Sequence, residues 1–212
     1  MQVDQLKGVE SFDVNDMMFF VQAPIEFVAK AFSQLYDGRL QCNVYGRELS
    51  DAVTGFILMQ FLRHSWTIVY RPEFPFYSEC EKDAQKLSRL LITRAVYYYI
   101  TDTGGELTYK LYQNGNCVEK LKWDYGDGGS IQFQSQLRSE IRDIGTFFEE
   151  QNIYVPVLYF KMKLEPTVRG FIVRLYKSVT LEPTDSALEK PVLIIPKFER
   201  SDFERVDYFA VD

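Results

Sequence analysis

The residues able to do chemistry are few and scattered. Asp102-Thr103-Gly104 places a carboxylate on a tight turn, as in sites where two aspartates share a proton and activate water. That chemistry needs a second carboxylate, and no second triplet occurs. Asp-Thr-Gly-Gly is also what a turn between two strands requires, so the turn reading outweighs the catalytic one. His64 is the only histidine. Pairing it with Cys42, Cys80 or Cys117, or building a Ser–His–Asp arrangement through it, requires partners close in space. Nothing local to Arg63-His64-Ser65 supplies them, and that tripeptide reads as a solvent-exposed turn. The run from Asp124 to Gly129 carries two aspartates without the spacing of a calcium loop, and no acidic twelfth position follows. Three cysteines without a Cys-x-x-Cys pair indicate neither a zinc site nor a disulfide framework. Glu149 and Glu150 fit the solvated side of a helix. Glycine-rich phosphate loops, dinucleotide fingerprints and the Gly-x-Ser-x-Gly elbow are all missing from the sequence. The expectation is no cofactor, no metal and no assigned catalytic residue. Asp102 and His64 are the least poor candidates for an enzyme acting on a small molecule.

Aromatic residues are the remaining lead, at 16% of the chain. Tyr97, Tyr98, Tyr99, Tyr109, Tyr112 and Trp123 crowd one short stretch, and Trp66 ends another. Rings at this density build a core, an interface or a pocket. Most belong in a core. Tyr98, Tyr109, Tyr112, Trp123 and Trp66 are the candidate binding residues, with Tyr98 foremost because it faces away from Tyr97 and Tyr99. A net charge of −6 and the lack of any Lys/Arg run argue against nucleic acid as a partner. The diffuse set Lys110, Lys120 and Lys122 is accounted for by one face of a hairpin. The acidic opening MQVDQLKGVESFDVND lacks the basic flank of a signal peptide, and no apolar run reaches the ~18 residues of a membrane span. A soluble, cytoplasmic protein without a membrane partner is expected.

Elements must position these residues. Residues 1–15 read as a loosely ordered arm, and Met17–Val21 as a short strand. After Pro24, Ile25, Val28, Phe32 and Leu35 form one helical stripe that Gly38 ends. Leu40, Cys42 and Val44 alternate as one face of a strand. GFILMQFL and WTIVYR form a hairpin around residues 63–65, the alternative being one long helix from Ser50 to Leu62. A second helix covers 79–92, with Ala84, Leu87 and Leu91 inward and Asp83 among the outer charges. Residues 94–123 make three strands joined by DTGG and QNGN. Around Asn114-Gly115, a regular two-residue hairpin sets Lys110 opposite Glu119 and Leu111 opposite Val118, joining unlike charges. Ser130–Gln136 is a further strand, and 137–152 a third helix bearing Leu137, Ile141, Ile144 and Phe148. Strand-like segments follow through 153–211, among them YVPVLYFKMKL, RGFIVRLYKSVTL, KPVLIIP and DFERVDYFAV.

The two first helices share Ala29/Ala84, Ser33/Ser88 and Leu35/Leu90, at one offset of 84 − 29 = 55 residues. Each is followed by a strand and a hairpin, which points to a duplicated unit. The fold class is α+β: antiparallel sheet or sheets with about three helices, and a helix–strand–hairpin unit occurring twice. One domain spans 16–212, with similar halves at about 24–71 and 79–124 and a strand-rich part at about 137–212. The expected function is a non-enzymatic binding or protein-interaction domain, using an aromatic-bearing acidic surface or cleft. Its partner is a protein or a small ligand, and a homodimer fits as well. The alternatives are the small-molecule enzyme and a structural subunit of a larger assembly.

Overall fold

The short apolar run near the start of the chain becomes a strand with neighbours on both sides. The computed structural model describes residues 16–47, 49, 55–71, 77–101, 105–124, 129–141, 147–148, 150–153, 193 and 199–211. The expected N-terminal arm, Asp102–Gly104, residues 125–128 and Glu149 lie outside these, as do the strands expected within 154–192.

Eleven elements follow in order: β1 (Asp16–Val21), α1 (Ile25–Leu35), β2 (Gly38–Gln41), β3 (Gly55–Phe61), β4 (Thr67–Tyr70), α2 (Tyr77–Leu90), β5 (Arg94–Thr101), β6 (Glu106–Gln113), β7 (Asn116–Asp124), β8 (Ser130–Ser135) and β9 (Phe203–Val211). The strands form one sheet in the order β2-β9-β3-β4-β1-β5-β6-β7-β8. Every recorded pairing in it is antiparallel. The hairpin over 55–70 is present, and the alternative long helix is not. All seven residues of β3 and all four of β4 are buried, as befits strands covered on both faces.

Alternation divides each central strand between two cores. On one face Met17, Phe19 and Val21 of β1 and Ala95 and Tyr97 of β5 meet Val28 and Phe32 of α1 and Ala84 and Leu87 of α2. The opposite face gathers Met18, Phe20, Val96, Tyr98, Tyr109, Trp123, Phe147 and Phe148. Tyr98 therefore faces away from Tyr97, as its place in the alternation requires. α1 follows its predicted stripe, with Pro24 standing at the N-cap, one residue before the first helical turn. The Ile25 amide donates to Gln60 Oε1 at 2.9 Å, which ties the start of α1 to β3.

Five expectations need correction. Two helices, not three, stand among the described elements. Residues 137–141 are non-helical because Ser135 Oγ accepts the amides of Leu137 and Arg138, at 2.9 and 3.1 Å, and turns the chain there. Among the described residues that follow, Phe147, Phe148 and Glu150 have helical backbone. Asp83 is buried, not outward: it accepts a hydrogen bond from the Tyr36 hydroxyl between the two helices. Leu40, within β2, and Cys42 are exposed whereas Val44 is buried: β2 ends at Gln41, so the alternation does not run on to Val44. β9 lies between β2 and β3, so β2 does not pair with β3 as β5 pairs with β6.

The fifth correction concerns the hairpin register. Gln113 pairs with Asn116 and Tyr112 with Cys117 across Asn114-Gly115, and a bulge then sets Leu111 opposite Glu119 and Lys110 opposite Lys120. Asn114 and Gly115 both take positive φ, 53° and 81°, as a tight two-residue hairpin demands. The regular register would have turned Leu121 and Trp123 to the face of Lys110. The bulge reverses that parity and sends both into the core with Tyr109 and Leu107. Burying such side chains yields about 1.5–3 kcal/mol each. A cross-strand charge pair offers about 0.2–1 kcal/mol. Burial wins.

Candidate functional site

The five rings singled out from the sequence are all interior: Tyr98, Tyr109 and Trp66 are fully buried, and Tyr112 and Trp123 nearly so. Tyr98 and Tyr109 face one another across β5 and β6. Both meet the Phe148 ring edge-on, with centroids at 5.4 and 5.9 Å. Trp123 lies on β7 between Leu107 and Ile131. Trp66 donates its indole N–H to the Gln151 carbonyl at 3.0 Å. Tyr112 sits on the helix-side face, where its hydroxyl donates to Glu81 at 2.9 Å. These rings do not converge on one opening; the core reading describes them.

His64 is buried, which overturns the exposed turn expected for it. Its Nδ1 lies 3.2 Å from the Trp66 carbonyl and its Nε2 3.2 Å from the Asn152 carbonyl, and burial lowers its pKa below the ordinary imidazole value. Both nitrogens are thus engaged by backbone, with no thiol or hydroxyl among these partners. Cys80, on α2, is buried in the helix-side core, and burial pushes its thiol up to about 12. Cys117 is also raised by burial, and Cys42 is exposed. Among the described residues no three His, Cys, Asp or Glu side chains gather as a metal cluster would require. No helix among them is long and apolar enough to cross a membrane.

What the fold does assemble is a groove of about 430 Å3 on the helix-side face, beyond the cover of α2. Its floor comes from alternate residues of three adjacent strands: Tyr97 and Tyr99 of β5, Thr108 and Lys110 of β6, Lys120 and Lys122 of β7. Glu81 of α2 and Glu106 of β6 complete the lining. The bulge places Lys110 directly opposite Lys120, and Thr108 opposite Lys122. Lys110 Nζ lies 2.6 Å from Glu81, and Lys122 Nζ 3.1 Å from Glu106. Thr108 Oγ1 donates to Glu106 at 2.9 Å and holds that carboxylate in place. Tyr97 is kept protonated well beyond the ordinary tyrosine range, by burial and then by the charge of Glu81.

Lys120 is the odd member. It is half-buried, flanked by Lys110 and Lys122, and has no ion pair or hydrogen bond among the described residues. Beside it, Gln132 and Gln134 of β8 continue the polar floor to the sheet edge and are exposed. No similar protein was found. Neither protein-family models, nor curated proteins, nor solved structures gave a match.

Three lysines against two glutamates leave this lining positive within a chain of net charge −6. Ammonium groups can seat an anion, with an apolar portion of a ligand lying on Tyr99, the partly exposed ring of the two. The sequence contained all these residues and read the lysines as a hairpin face. That description is right for the hairpin. It misses Tyr97, Tyr99 and Glu81, which only the sheet order and α2 bring alongside.

Proposed function

We propose that this chain is a non-enzymatic binding domain whose ligand is anionic and sits in the groove over Tyr97, Tyr99, Lys110, Lys120 and Lys122. One observation carries the reading: Lys120 stands half-buried and, among the described residues, unpaired between two lysines that each hold a carboxylate. Like charges set opposite one another in a sheet are unfavourable, so an unneutralised lysine there costs stability until a counter-charge arrives. The rings of this groove are Tyr97 and Tyr99 rather than the five singled out from the sequence, and its lining is positive where the expectation was an acidic surface. A cytoplasmic setting belongs to the same proposal, as does descent of 24–71 and 79–124 from one helix–strand–hairpin unit, supported by the common face that α1 and α2 cover.

The test is a titration of the isotope-labelled chain with small anions of differing shape, inorganic phosphate and benzoate among them, followed by NMR. Saturable shifts of resonances from Tyr97, Tyr99, Thr108 and Lys120, weakening as salt is raised, are expected. Shifts confined to other faces, or none with any anion, would sink the reading.

A further inference from the structure

We infer that the occupant of the groove is an acidic, extended peptide segment of a partner protein, with one of its carboxylates on Lys120. The inference rests on the binding reading above and adds the class of ligand. Three observations favour it. First, the groove already shows what its lysines take. Lys110 holds the carboxylate of Glu81 and Lys122 that of Glu106. A third carboxylate on Lys120 completes a row in which every lysine has one.

Second, the spacing is that of a strand. Lys120 and Lys122 lie two residues apart on β7, about 6.6–6.8 Å at the usual strand rise. Acidic side chains at alternate positions of an extended peptide repeat at the same interval. Such a peptide, laid along β7, sets one carboxylate at Lys120 and its next acidic neighbour toward Lys122. The exposed amides of Gln132 and Gln134 lie at its flank to meet peptide groups.

Third, the site lacks what other anions want. Small-molecule pockets enclose most of their ligand within largely apolar walls. Here the lining is mainly polar, α2 supplies one wall through Glu81, and the floor runs on to the Gln132 and Gln134 side of the sheet. Phosphate sites favour the bidentate fork of arginine, and this lining contains only lysine. The fixed carboxylates of Glu81 and Glu106 repel a doubly charged group more than a singly charged one.

The test uses the full chain and fluorescence anisotropy with a labelled peptide of alternating threonine and glutamate, six residues long. Its control is the same peptide with glutamine in place of glutamate, and unlabelled phosphate and benzoate are run as competitors. The glutamate peptide is expected to bind with an affinity that falls as salt rises, and the glutamine peptide at least about tenfold more weakly. Lys120→Ala should lower affinity about five- to tenfold without lowering the melting temperature, and Lys30→Ala, on the exposed side of α1, should leave affinity unaltered. Equal binding of the two peptides overturns the inference, and so does indifference to Lys120→Ala. If phosphate or benzoate occupies the groove and the peptide does not, the peptide inference falls while the anion-binding reading stands. If no probe binds, both fall.

Discussion

His64 faces two carbonyl oxygens, and a neutral imidazole has only one N–H to offer them. One carbonyl is therefore left without its proton at any moment, unless the ring becomes an imidazolium, which burial opposes. The net effect is a folded-state pKa below the ordinary 6.5. Between that lowered value and 6.5, the unfolded chain binds more protons than the folded one. Stability should accordingly fall as the pH drops through this window, and be fully present above it. Urea unfolding of the wild-type chain and of His64→Gln at pH 7.5, 6.5 and 5.5 checks this. The wild type should lose more stability on acidification than the variant. Equal slopes would show that His64 does not titrate in the window. Nothing in Arg63-His64-Ser65 foretold the burial, because the ring's second partner, Asn152, is 88 residues away in sequence.

At the scale of elements, the meander β5–β7 was readable because each strand alternates and each turn contains its required residues. Asn114-Gly115 formed the two-residue turn its composition implied, and Tyr97 and Tyr98 took opposite faces as their parity demanded. The register of β6 on β7 was not readable. Charge pairing along the hairpin is a local preference, whereas the bulge follows from the core that Leu121 and Trp123 join with Phe147 and Phe148. A direct measure of that parity is available. Leu121→Ala should cost about 2–5 kcal/mol in chemical denaturation. Lys120→Ala, facing the groove, should cost no more than about 0.5 kcal/mol. The regular register would reverse these two results. The groove inherits the same dependence: without the bulge, Lys120 and Lys122 would point away from Tyr97 and Tyr99, and their ammonium groups would lie in the core.

Across the whole molecule, the sheet is completed by a strand from the end of the described chain. β9 pairs with β2 on one side and β3 on the other, and its approach is close. A Cβ on Gly55 would lie 2.4 Å from the Phe209 carbonyl oxygen and 2.8 Å from the Tyr208 ring. Gly55→Val should therefore push β9 off β3, lowering the melting temperature by several degrees, since overpacking typically costs about 1–3 kcal/mol. Unchanged melting would mean that β9 can shift without loss. Composition and periodicity established an antiparallel α+β fold, and they identified DFERVDYFAV as a strand. They were silent on its position, because strand order is decided by which apolar faces meet once the chain has collapsed.

That position has a consequence for how the protein can be taken apart. Remove β9, and β2 and β3 are left facing each other across a gap two strand spacings wide, roughly 9.6 Å. Both walls of the gap present unpaired backbone amides and carbonyls, so the truncated chain is a socket with a single shape of plug. The plug is nine residues long, Phe203–Val211, and it bears the apolar side chains for both cores. Two copies of the intact protein hold the same plug and the same socket, which makes β9 the segment they would exchange in a swapped dimer.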